Sequence, residues 1–154
     1  MAKLEDAISY LLKNYPHKDE LSNARVTKML YLADWHALIN GNNPVTQIEW
    51  YFDNYGPFVW DVRDAVNTSD KLVSKSTVNM FGQPKELLCD GDENYEPVIS
   101  NSEKQSLDHV IKQTKPLTWS SFIKLVYSTY PVASSEKYSK LNLKKLAREY
   151  VASS

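Results

Sequence analysis

The sequence predicts an α+β fold, mainly helical, with a small antiparallel sheet or β-hairpin. Three observations lead there. Apolar residues recur at helical spacing in several separate stretches, one stretch alternates apolar and polar residues as a half-buried strand does, and two Val- and Thr-bearing or Leu-bearing segments flank a Gly-Pro-containing turn. At 154 residues the chain has the length of one ordinary domain with one core. A single domain spanning 1–154 is therefore expected.

Leu4, Ile8, Leu11, Leu12 and Tyr15 share one helical face, and Pro16 ends the run, placing a first helix over Lys3 to Asn14. Ser22 or Asn23 can cap a second, longer helix ending near Ile39, where Asn40-Gly41-Asn42-Asn43-Pro44 supplies residues suited to a left-handed cap and a turn. Val26, Met29, Leu30, Ala33 and Ala37 give that helix one apolar stripe. Ile48, Trp50 and Phe52 then alternate with Gln47, Glu49 and Tyr51 as a strand. Tyr55-Gly56-Pro57 makes a turn, and Phe58 to Val66 returns to helical spacing.

Lys71 to Met80 and Lys85 to Cys89 read as the two arms of a hairpin around Phe81-Gly82-Gln83-Pro84. An acidic loop, Asp90 to Pro97, leads to a helix announced by the Ser100 and Glu103 capping box. After the break at Pro116, Thr118 can cap a helix through Phe122, Leu125 and Val126; Pro131 interrupts again, and a last helix runs from about Asn142 to Val151.

Composition narrows the function classes. With 42% hydrophobic and 24% charged residues, the chain is neither disordered nor fibrous. Ten Tyr and four Trp exceed what a small core easily holds, which leaves two readings, an aromatic core or an aromatic interface. The lone Cys89 excludes an internal disulfide framework and a Cys-based zinc site. Met1 to Asp6 is charged and leads directly into an amphipathic pattern, and no apolar run approaches membrane-spanning length, so a cytoplasmic protein is expected. Residues 1–100 carry a formal charge of −6 and residues 101–154 one of +5. An acidic face can meet a basic partner and a basic third can touch nucleic acid, although solvated surface charge is the plainer explanation.

No motif for chemistry emerges. His17, His36 and His109 lack metal-ligand spacing, and Asp34 and His36, two apart on a helix, do not face one another. Asp34 is expected to be a polar anchor and His36 a partly buried helix residue. The loop from Asp90 fails the EF-hand rule, with Tyr95 in the glycine place and Asn101 in the bidentate place. There is no phosphate-cradling loop, nucleophile elbow or activated cysteine. We therefore expect no catalytic residues, no cofactor and no metal. Lys140, Lys144, Lys145 and Arg148 beside Trp119 can form a basic docking surface in a winged-helix-like arrangement, but a pI near 6.3 argues against strong nucleic-acid binding.

The stretch Lys28-Met29-Leu30-Tyr31-Leu32-Ala33-Asp34-Trp35-His36, with Gly41 and then Tyr55-Gly56-Pro57-Phe58-Val59, resembles the Panacea domain of the SocA-like antitoxins, a phage-associated family. The match is specific from about Leu21 to Val66 and diffuse beyond. The resemblance implies a non-enzymatic antitoxin that binds a cognate protein toxin encoded nearby. A related member implies a second possibility, an adaptor delivering its toxin to a ClpXP-type protease, and a DNA-binding autorepressor is the alternative function. A homo-oligomer is possible, and no membrane association is expected.

Lys28, Leu30, Tyr31, Asp34, Gly56 and Pro57 are read as structural parts of the motif, with Gly56 and Pro57 holding a tight turn. Candidate partner-binding residues are Trp35, His36, Tyr51, Tyr55 and Trp60. Trp35 is expected on the far side of the apolar stripe, exposed, so that its replacement or that of Tyr51 by Ala weakens neutralisation without loss of stability.

Overall fold

Thirteen of the seventeen residues of helix α2 (Asn23–Ile39) are buried, so this helix runs through the core rather than along it. In the computed structural model, which describes residues 1–153, every layer of the fold packs on it. Ser154, the last residue of the expected domain span, lies outside the described residues.

Around α2 stand α1 (Leu4–Asn14), α3 (Asp61–Thr68), α4 (Asn101–Thr114), α5 (Trp119–Ser128), α6 (Tyr130–Ser134) and α7 (Leu143–Ala152). A 3-10 turn at Lys18–Glu20 joins α1 to α2. Strands β1 (Trp50–Asp53), β2 (Gly56–Pro57) and β5 (Ser139–Leu141) form an antiparallel sheet in the order β2-β1-β5, with Phe52 opposite Pro57 and Trp50 opposite Leu141. Strands β3 (Leu72–Val78) and β4 (Pro84–Asp90) form a separate hairpin from Leu72 opposite Asp90 to Val78 opposite Pro84. The fold is α+β and mainly helical. No helix among the described residues is long and apolar enough to cross a membrane.

The ends of α2 follow from its flanking residues. The Ser22 side chain accepts the backbone N–H of Arg25 at 3.2 Å. At the other end Gly41, at φ +81°, lets its own N–H reach the Leu38 carbonyl and that of Asn42 reach the Ala37 carbonyl, so the last carbonyls find donors. Ser100 and Glu103 close their capping box on α4, and Thr118 caps α5 through Ser121.

The single-stripe expectation for α2 understates its burial. Leu32 and Trp35, off the expected stripe, are buried as well, together with Arg25, Lys28 and Asp34, because α1, α3, α4 and α7 close on different sides. Each fully buried Leu or Met in this helix contributes about 1.5–3 kcal/mol. Arg25 is held inside through one nitrogen: its Nη2 donates to the Tyr15 hydroxyl at 2.9 Å and to the carbonyls of Thr114 and Leu117, and its guanidinium lies 4.5 Å from the Phe122 ring centre, while its buried Nε has no acceptor among the described residues. One side chain thereby ties α1 to the junction of α4 and α5.

Other differences are local. The helix expected from Phe58 starts at Asp61, because the chain stays extended after β2 and the Phe58 N–H donates to the Tyr51 carbonyl at 3.0 Å. Pro131 does not break the chain but sits in the first turn of α6, where its missing N–H has no intrahelical role.

Candidate functional site: an aromatic surface around one turn

The five candidate partner-binding residues fall in three places. Trp35 is not exposed as expected: it is 6% accessible, stacked 6.4 Å from Tyr130 and edge-on to Tyr150 at 5.5 Å. Helices α6 and α7 supply those rings, and they cover the side of α2 that its own pattern leaves polar. His36 is half-buried between α2 and α4, with Nδ1 3.0 Å from the Ser106 hydroxyl and its ring stacked 4.0 Å from His109. Burial and the neighbouring His109 hold the His36 imidazole below the ordinary histidine range.

Tyr51, Tyr55 and Trp60 belong together, around the turn between β1 and β2. Tyr55 is 77% and Trp60 64% exposed, and Tyr51 is half-buried on β1. Trp60 meets the ring of Phe58 edge-on at 5.2 Å, and Phe58 is tied through its N–H to Tyr51. The sequence reading missed a further member, Tyr138. It is 60% exposed, at φ +65°, its N–H bonded to the Phe52 carbonyl and its hydroxyl donating to Asn54 Oδ1 at 2.7 Å. A tyrosine held at positive φ with its ring outward stores backbone strain at this spot.

The motif residues lie beneath. Leu30 and Tyr31 are fully buried, Tyr31 with its hydroxyl 2.7 Å from Thr129 Oγ1 and its ring edge-on to Trp50. Gly56 sits at φ +101°, and a Cβ there would meet Tyr127 Cε1 at 3.4 Å and Lys28 Cε at 3.7 Å, so the turn closes directly on α2 and α5. Pro57 is buried in β2 opposite Phe52.

Asp34 binds the segment that leads into the sheet. Its carboxylate accepts the Thr46 N–H at 2.9 Å, the Thr46 hydroxyl at 2.6 Å and the Trp50 indole N–H at 2.9 Å. Burial pushes this carboxyl up to about 6, against the pull of those three donors. A groove of about 500 Å³ opens beside it, walled by Ile48, Trp50, Leu141 and Lys144 among others. Asp34 is committed there to internal donors, the Thr46 hydroxyl among them.

These features define a class: a helical α+β domain that turns an ordered set of aromatic rings outward. The chain belongs to the SocA-like antitoxin family, whose Panacea-domain model matches residues 26–131, more than half of its length. No curated protein and no solved structure matches the chain.

Proposed function

We propose that this protein is the antitoxin of a toxin–antitoxin pair and neutralises a toxin encoded beside it by direct protein–protein contact. The observation that supports this reading most is the exposure of Tyr55 and Trp60 on a turn fixed from below by Gly56, Pro57 and Phe58. Tyr and Trp on a rigid support lose little conformational entropy on binding and are the residues that most often dominate interface energetics. Inhibition by contact requires shape and a few anchors, with no catalytic group of its own.

Co-expression with the product of the neighbouring gene tests the reading. The wild-type protein restores growth and co-purifies with that product, and a Tyr55→Ala, Trp60→Ala double variant does neither. A protein that binds no neighbour-encoded product and instead shifts its own promoter DNA with steep salt dependence is a regulator. Loss of toxin only in cells with an active ClpXP-type protease marks the adaptor mechanism.

A further inference from the structure

The strand pattern of the sequence is longer than the strand. Gln47, Ile48 and Glu49 continue the alternation of Trp50 and Phe52, exposed at Gln47 and Glu49 and half-buried at Ile48, yet β1 begins at Trp50. The cause is its neighbour: β5 ends at Leu141, opposite Trp50, and the chain turns at Asn142 into α7. Among the described residues, the backbone of residues 47–49 makes one hydrogen bond, from the Ile48 N–H to Thr46 Oγ1 at 3.3 Å. An extended segment with open N–H and C=O groups is the template on which a sheet accepts a strand from another chain.

The groove of about 500 Å³ beside Asp34 lies where a longer β5 would run, with Ile48 and Trp50 from the β1 side and Leu141 and Leu143 from the β5–α7 side. Its rim is basic. Lys140 and Lys144 both line it and both are exposed, at the N-terminal end of α7, where the first N–H groups add positive potential. Two acids also line it. Asp34 is buried with its oxygens taken by Thr46 and Trp50, and Glu49 is exposed, out of step with the inward Ile48 and Trp50.

We propose that this groove receives an extended segment of the toxin, which pairs with residues 47–49 as an added strand, sets an apolar side chain between Ile48 and Leu143, and brings an acidic side chain to Lys140 and Lys144. This rests on the antitoxin reading above. Open ladder groups beside an apolar wall suit a peptide, since a nucleic-acid backbone offers neither the matching amides nor an apolar side chain. A second copy pairing through the same segment would bring two basic rims together, so the charge favours a different chain. The groove and the aromatic turn lie at opposite ends of β1, about 10 Å apart by the rise of a strand, and one partner can cover both.

The test uses the toxin encoded beside the gene as the probe, with amide hydrogen exchange read by NMR. In the free protein the amides of residues 47–49 exchange rapidly, and in the complex they slow by at least about tenfold. The double variant Lys140→Glu, Lys144→Glu changes exposed residues, keeps the urea midpoint near that of wild type and weakens toxin binding by at least about tenfold. The double variant Lys145→Glu, Arg148→Glu makes the same charge change on exposed residues of α7 outside the groove and leaves binding within about threefold. No slowing at residues 47–49, no weakening by the first pair, or equal weakening by both pairs overturns the inference while leaving the antitoxin reading intact. Slowing at residues 47–49 that appears in the free protein as its concentration rises gives the groove to a second copy and overturns it as well. A wild-type protein that does not bind the toxin overturns both.

Discussion

The carboxylate of Asp34 accepts the indole N–H of Trp50 at 2.9 Å, joining the middle of α2 to the first residue of β1. The same carboxylate takes the backbone N–H and the hydroxyl of Thr46. Asp34→Ala leaves the indole and the amide buried without an acceptor, and a cost of about 3 kcal/mol or more follows from about 1–3 kcal/mol for each such group. Asp34→Asn costs less but does not restore the wild type, because Trp50 Nε1 and Thr46 N donate to different oxygens and an amide offers only one. Urea denaturation followed by tryptophan fluorescence measures both.

Asp34 also sets a pH dependence. Its carboxyl is raised from 3.8 to about 6, so between those values the folded protein holds a proton that the unfolded chain has released. Stability on this account falls as pH rises from about 4 to about 6. His36 acts in the opposite sense. Its imidazole is held below the ordinary range, the unfolded chain takes the proton first, and stability falls as pH drops through that range. Denaturation midpoints across pH 4 to 7 in Asp34→Asn and in His36→Gln separate the two: the first variant loses the fall with rising pH, the second the fall with dropping pH.

Local signals carried the sequence reading, and distant partners are what it lacked. Ser22, the Ser100 and Glu103 pair and Thr118 cap helices within a few residues of themselves, and each helix start follows. The hairpin arms, joined by a short turn, fall within a residue or two of their expected bounds. Strand β5 has three residues, and its pairing with β1 closes across most of the C-terminal half, which no local pattern announces. The outward-facing look of Trp35 reflects the periodicity of α2 alone; Tyr130 and Tyr150, far along the chain, decide its burial. For the candidate surface, Tyr51, Tyr55 and Trp60 were legible as aromatics near a Gly-Pro turn. Tyr138 was not, since its place depends on β5.

Trp35 and the turn aromatics give contrasting expectations. Trp35→Ala removes a buried indole between two tyrosines and destabilises the fold by about 3–5 kcal/mol. Tyr55→Ala and Trp60→Ala each change stability by no more than about 0.5 kcal/mol. If they are anchors, each lowers toxin affinity by about 2 kcal/mol or more. Parallel thermal denaturation and binding measurements check the contrast. Equal loss of stability and affinity at Tyr55 and Trp60 refutes the surface described above.

Gly56 and Gly82 separate backbone strain from packing. Both hold positive φ, +101° and +73°, but a Cβ on Gly82 meets nothing within 4 Å, whereas one on Gly56 comes into van der Waals contact with Tyr127 and Lys28. Gly82 closes the hairpin tip, where Asn79 Oδ1 accepts the N–H groups of Phe81 and Gln83, and the φ of Gly82 lies close to the small left-handed region open to other residues. Gly82→Ala is therefore expected to cost about 1–2 kcal/mol. Gly56→Ala combines a φ further from that region with a new contact on the Tyr127 ring of α5, which itself packs edge-on against Phe52 at 6.1 Å. We expect the Gly56 variant to lose about 3 kcal/mol, the upper end for a strained backbone site. The urea midpoints of the two variants, read against wild type, give the order; a Gly82→Ala loss equal to that of Gly56→Ala would show that φ alone, and not the closure of the turn on α2 and α5, accounts for glycine at both places.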